Sequence, residues 1–110
     1  MEVRAPDVDR TDREALSLVG LARRSGRAIV GTRAVREAAR GGSLRLALLA
    51  RDAGDNARNR VLPLFDATGT PWLECGRDGS LAQAVGRERG VVVGISDPRL
   101  AARIVEILAD

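Results

Sequence analysis

A chain of 110 residues has room for one domain, and its 45% hydrophobic and 30% charged residues exclude a disordered protein. No apolar run approaches the roughly 20 residues that a membrane span needs, and segment 1–13 lacks the basic and apolar regions of a secretory signal. The net charge of +3 is unevenly placed, because residues 23–60 hold ten arginines against three acids while both flanking segments are acidic.

The N-terminal segment predicts a tail followed by a helix. Residues 1–10 are polar, lack a hydrophobic period and are expected to form a flexible tail, which leaves 11–110 as a single domain. Thr11 and Glu14 have the spacing of a capping box. The apolar residues after them repeat at helical intervals until Gly26, a typical helix stop.

The basic central segment predicts a strand, a helix and a second strand. Residues 27–30 form a short strand, and Thr32 is expected to cap a helix over 33–40. Residues 44–50 are continuously apolar apart from Arg45. That pattern is typical of a central strand covered on both faces.

A third helix begins at Asp52 or Asp55 and reaches about Thr68, although Pro63 should kink it or remove one backbone bond. The remaining elements are a strand over 72–75, a helix over 81–85 capped by Ser80, a strand over 91–95, and a helix over 98–109 capped by Asp97. Helices and strands therefore alternate along the whole chain. This order predicts an α/β protein with helices on both faces of the sheet, a three-layer α/β/α sandwich.

The residue inventory argues against an enzyme. Without His, Tyr or Lys the chain lacks the usual general base at neutral pH, imidazole metal ligands and a P-loop lysine. Residues 94–98 resemble a nucleophile elbow but lack its second glycine and a histidine partner. Cys75 is expected to be a small packed residue, and a single cysteine favours a reducing cytoplasm. We therefore expect no catalysis, no metal and no cofactor.

Three charged segments occur where loops meet the predicted sheet, and the loops at one edge of such a sheet converge. The first segment opens a helix, whose free N–H groups and partial positive charge suit a phosphate. The candidate RNA-binding residues are Gly31, Thr32, Arg33, Arg36 and Glu37 in the first segment, Arg51 in the second, and Arg87, Glu88 and Arg89 in the third. Arg23, Arg24 and Arg27 are candidates to extend this surface. The alternative is that each arginine merely solvates a loop.

Several stretches share their order and spacing with one known family. They are GLARRSGRAIVGTRAVREAARGG at 20–42, LRLALLARD at 44–52, LPLF at 62–65, LAQAVG at 81–86 and VVVGISD at 91–97. Together they resemble the kink-turn-binding ribosomal protein family, especially its short bacterial members. The resemblance implies an α/β/α sandwich with a mixed four-stranded sheet. It also implies binding to sharply bent RNA with tandem sheared G·A pairs.

The chain departs from that family where a kink-turn would be recognised. Kink-turn binders usually carry Asn, Glu and Lys at the positions of Arg33, Ala34 and Glu37. They carry an acidic residue at the position of Arg51 and small apolar residues in the loop 87–90. We therefore expect RNA binding with little preference for a kink-turn.

The leading hypothesis is a non-catalytic, ribosomal-protein-like RNA-binding protein of the cytoplasm. Its expected partner is structured RNA, with ribosomal RNA, the ribosome or another protein as further candidates. We expect no membrane binding and no recognition of a DNA sequence. The alternative, from a different class, is a protein-interaction adaptor of the same fold that has lost specific RNA recognition.

Overall fold

A computed structural model describes residues 10–109, in which five helices alternate with four strands. The elements are α1 (Arg10–Arg24), β1 (Ala28–Val30), α2 (Thr32–Gly41), β2 (Leu46–Leu49), α3 (Asp55–Thr68), β3 (Trp72–Glu74), α4 (Asp78–Ala84), β4 (Val92–Ile95) and α5 (Pro98–Ala109). The predicted tail, 1–10, lies outside the described residues except for Arg10, the first residue of α1. Each helix within the described residues is too short or too polar to span a bilayer.

The four strands form one mixed sheet in the order β1-β4-β2-β3. Strand β4 runs antiparallel to both of its neighbours, β1 and β2, whereas β2 and β3 are parallel. At the centre, Leu46 pairs with Ile95 and Leu49 pairs with Val92. The predicted pair of buried central strands is therefore confirmed.

Helices cover both faces of the sheet, so the predicted three-layer sandwich is confirmed. Leu46 and Leu48 of β2 belong to the core on the face covered by α1, α4 and α5. Ala47 and Leu49 belong to the core beneath α2 and α3. Because successive residues of a strand point to opposite faces, a strand buried on both sides must be apolar throughout. Burial of each such leucine contributes about 1.5–3 kcal/mol.

The predicted starts of α1 and α2 need correction. Helix α1 begins at Arg10, so Thr11 is its second residue rather than its cap. The cap of α2 is Gly31, and Thr32 is the first helical residue. Gly31 has a φ of 100°, which glycine adopts without steric cost, and its carbonyl accepts a hydrogen bond from the Val35 N–H at 3.0 Å. The chain can therefore turn sharply from β1 into α2.

The start of α4 also differs from the prediction, whereas the start of α5 is confirmed. Helix α4 begins two residues before Ser80, whose Oγ accepts a hydrogen bond from the Arg77 N–H at 2.9 Å. Ser80 thus serves a capping box from inside the first turn. In α5 the cap is Asp97, because its Oδ1 accepts from the N–H groups of Arg99 and Leu100 at 2.8 and 3.1 Å.

Gly94 of β4 allows close packing on the α2 side of the sheet. A Cβ atom at this position would overlap Cδ1 of Leu44. It would also lie 3.5 Å from Cβ of Ile29 and from Cγ2 of Val35. Leu44 is only 7% exposed, so its side chain has little room to move away.

We expect Gly94→Ala to lower the free energy of unfolding by about 1–2 kcal/mol, because an added methyl group overpacks a filled core. Urea denaturation measures the change. In a Leu44→Ala background the same substitution should cost little, since the overlapping methyl group is gone. Equal costs in the two backgrounds would show that the overlap is not the cause.

Candidate nucleic-acid interface

Four chain segments meet along one border of the sheet, the border formed by the ends of the strands rather than by an outer strand. Because β4 is antiparallel to β1 and β2, and β2 is parallel to β3, the first three strands end where β4 begins. The segments at that edge are residues 31–33, 50–54, 75–78 and 86–91, and we call this set the loop edge. The three predicted segments therefore converge through the topology of the sheet.

Hydrogen bonds tie the segments of the loop edge together. The Arg51 N–H donates to the Gly76 carbonyl at 2.8 Å. The Asp52 carboxylate accepts from the Asp78 N–H at 2.8 Å, and the Asp78 carboxylate accepts from the Gly90 N–H at 2.7 Å. Asp52, one of the two predicted starts of α3, belongs to this network, and the helix begins three residues later.

Two of the predicted segments share a shallow surface pocket of about 310 Å³. Its walls include Gly31 and Thr32 at the start of α2, and Asp78, Arg89 and Gly90 from the other loops. Since α2 begins here, its first N–H groups and the positive end of its dipole lie at the pocket. This combination is suited to an anion.

A second depression, of about 380 Å³, lies between α2 and α3, and we call it the α2–α3 groove. Its lining residues are Thr32, Arg33, Arg36, Glu37, Arg40 and Arg60. Two of the predicted site residues, Arg36 and Glu37, thus lie along α2 beyond the loop edge. Arg33 and Glu37 form only a weak pair, with 4.0 Å between Nε and Oε1 and side chains that are 96% and 64% exposed.

The groove adds Arg40 and Arg60, which were not among the predicted site residues. Arg40 follows Arg33 and Arg36 at helical spacing, so the periodicity of α2 was a usable signal for it. Arg60 belongs to a different helix, and no local pattern places it beside α2.

Arg51 lies at the loop edge, but its guanidinium is bonded within the protein. Its Nε and Nη2 donate to the two carboxylate oxygens of Asp12 at 2.9 and 2.8 Å, and its Nη1 lies 3.8 Å from Glu74. The Asp12 side chain is 2% exposed and also accepts from the Gly76 N–H at 2.8 Å. Arg51 therefore joins α1 to the loop edge, and its contact with RNA stays a prediction.

Asp12 is held in its ionised form. Burial alone would raise its pKa, but the hydrogen bonds from Arg51 and the Gly76 N–H, together with the charge of Arg51, hold the pKa below its ordinary value near 3.8. Its partners lie 39 and 64 residues away along the chain. No local pattern in the sequence marks this role of Asp12.

The loop before β4 is exposed at residues 87 and 88. The guanidinium of Arg23 adjoins this loop, since a Cβ atom on Gly86 would lie 3.0 Å from its Cζ. The prediction that Arg27 extends the surface is wrong. Arg27 precedes β1, and its carbonyl accepts from the Ser96 N–H at 3.0 Å just after β4, at the opposite edge of the sheet.

No protein-family model matches the chain. The chain is similar to the RNA-binding protein YlxQ of Bacillus subtilis, with 27% identity over 95 residues that cover 86% of this chain and 95% of that protein. A protein of unknown function from Bacillus halodurans superimposes with a TM-score of 0.82 at 27% identity, over 88% of this chain and 98% of the other. The 15.5 kDa RNA-binding protein of Giardia lamblia superimposes with a TM-score of 0.76 at 19% identity, over 99% and 98% of the two chains. This last likeness concerns the fold alone.

Proposed function

We propose that this chain is a non-catalytic RNA-binding protein whose loop edge contacts structured or bent RNA. The observation that carries the proposal is the pocket at which the start of α2 meets the loop that bears Arg89. Helix N–H groups and an exposed arginine adjoin the same space there. The similarity to the RNA-binding protein YlxQ, which extends over most of both chains, supports the same function.

The loop edge offers the groups that hold phosphates in place. Arg87 and Arg89 are exposed, and Arg23 adjoins their loop. Arginine donates two parallel hydrogen bonds to a phosphate, and a helix N-terminus adds backbone donors and partial positive charge. Phosphate contacts position an RNA without recognising its bases. We therefore propose that the protein selects RNA chiefly by shape, with ribosomal RNA as the candidate that the family resemblance suggests.

The salt dependence of RNA binding tests this proposal. If the surface neutralises about four phosphates, log K should fall with log salt at a slope of roughly −3 to −4. Arg89→Ala should flatten the slope by about 0.7–0.9, the loss of one contact. Arg103→Ala is the control, because Arg103 is on α5 and pairs with Glu106 at 3.0 Å. Fluorescence anisotropy with a labelled internal-loop RNA at several salt concentrations measures both slopes.

Equal slopes for the two variants would show that binding is diffuse and not centred on the loop edge. Absence of salt-dependent binding by the folded protein would contradict the proposal itself. The protein-interaction adaptor would then be the better hypothesis.

A further inference from the structure

The α2–α3 groove is a strongly basic depression on the outer side of the sandwich. Arg33, Arg36 and Arg40 are three and four residues apart, so they lie on one face of α2. Arg60 approaches the same space from α3, and Glu37 is the one acid among the lining residues. The groove therefore gathers four guanidinium groups against a single carboxylate.

Most of these arginines are not used to hold the fold. On α3, Arg58 donates to a backbone carbonyl at 2.8 Å and to Glu74 at 2.7 Å. Two residues later, Arg60 forms no ion pair within residues 10–109, and neither does Arg40. The Nε of Arg36 is buried and has no hydrogen-bond partner among the described residues. At least Arg40 and Arg60 therefore have guanidinium groups that are not paired with an acid among the described residues and can bind an anion in the groove.

Such an arrangement is costly for the protein alone. A buried donor without an acceptor destabilises the folded state, and like charges one helical turn apart repel each other. A phosphate in the groove would reduce the repulsion between the guanidinium groups along α2. The chemistry therefore favours a polyanion over a protein helix or an apolar ligand.

The groove is continuous with the loop edge, because Thr32 lines both the groove and the pocket at the start of α2. At a rise of about 1.5 Å per residue, Arg40 lies roughly 12 Å from Thr32 along the helix axis. This run of cations is longer than one phosphate group. We propose that the α2–α3 groove binds the phosphate backbone of one arm of an RNA whose bend contacts the loop edge.

This inference rests on the proposed function, and a footprint can separate the two. The probe is an internal-loop RNA with two arms of about ten base pairs, cleaved by hydroxyl radicals with and without the protein. The test variant is Arg40→Gln with Arg60→Gln, which removes two charges from the groove and none from the loop edge. The matched control is Arg99→Gln with Arg103→Gln, which removes two charges from α5 in the opposite helical layer.

With the native protein we expect protection at the bend and along one arm. The groove variant should keep the protection at the bend, lose it along the arm, and bind roughly tenfold more weakly, with a salt slope flatter by about 1.4–1.8. The α5 variant should match the native protein. Native-like arm protection and slope for the groove variant would overturn the inference and leave the proposed function standing. No protection anywhere by the native protein would overturn both.

Discussion

Arg51→Ala is expected to lower the free energy of unfolding by about 3 kcal/mol, although Arg51 is at the surface and was predicted to contact RNA. The substitution removes both hydrogen bonds from Arg51 to the buried carboxylate of Asp12 and keeps the bond from the Gly76 N–H. Removing one side of a buried ion pair is strongly destabilising, because the remaining charge keeps its desolvation cost and loses the attraction that offset it. Urea denaturation at neutral pH measures the loss as a shift in the midpoint at an unchanged slope.

Arg87→Ala is the matched control, because it removes an exposed loop arginine of the same surface. It should change the free energy of unfolding by less than about 0.5 kcal/mol. Similar small effects of the two substitutions would mean that the bonds between Arg51 and Asp12 contribute little to stability.

The pH dependence of stability provides a second measurement of the same bonds. Since the pKa of Asp12 is lowered by folding, its contribution is fully present above the ordinary value near 3.8 and is lost as the pH falls through the folded-state pKa. Asp12→Asn removes the titrating group. The native protein should therefore lose more stability between pH 5 and pH 3 than this variant does.

The fold elements could be predicted from the sequence, but the side-chain partner of Arg51 could not. The order of the elements was predictable because hydrophobic periodicity and turn residues are local signals in the sequence. Strand β2 is an example, since a strand buried on both faces must be apolar throughout. The hydrogen bond from Arg51 to Asp12 joins residues 39 positions apart, and no local sequence pattern near either residue predicts it. From the sequence alone, an arginine that pairs with a buried carboxylate cannot be distinguished from an arginine that is free to bind RNA.

The candidate site was predictable to the same extent. The convergence of the loops depends on strand direction: the segment before β4 joins the segments after β1 and β2 because β4 is antiparallel to both strands. The alternation of helices and strands predicted the sheet but did not give the direction of β4. The placement of Arg27 was an avoidable error, because the predicted strand over 27–30 already separates Arg27 from Gly31 and puts them at opposite ends of that strand. Arg60 was missed because helix-to-helix packing brings it to α2, and that packing is set by the whole core.

If RNA binds at the proposed interface, the side chains of α2 will influence how well the protein distinguishes one RNA from another. Ala34 is exposed in the first turn of α2 and has no polar atom in its side chain, so it cannot accept a hydrogen bond from a base. Glu37 lies one turn further along and is exposed, so its carboxylate would repel a phosphate bound nearby. We expect the native protein to prefer a kink-turn over the same RNA with mutated G·A pairs by less than about tenfold, on the order of 1.4 kcal/mol.

Ala34→Glu combined with Glu37→Lys is expected to raise that preference by about thirtyfold, on the order of 2 kcal/mol. The new carboxylate can accept from a base edge, and a recovered base contact is worth about 1–3 kcal/mol in the better-studied case of DNA. The new lysine replaces repulsion with a phosphate contact that holds the base contact in register. Paired affinity measurements on the kink-turn and its G·A mutant give the ratio.

Glu37→Gln alone separates charge from recognition. It removes the repulsion without adding a group that recognises a base, so it should strengthen binding to both RNAs equally and leave their ratio unchanged. A native preference of a hundredfold or more would contradict the expected weakness, because Ala34 and Glu37 would then be compensated elsewhere. Arg33, which replaces the asparagine usual in kink-turn binders, would be the first residue to substitute, since its planar guanidinium can donate two hydrogen bonds to a guanine edge.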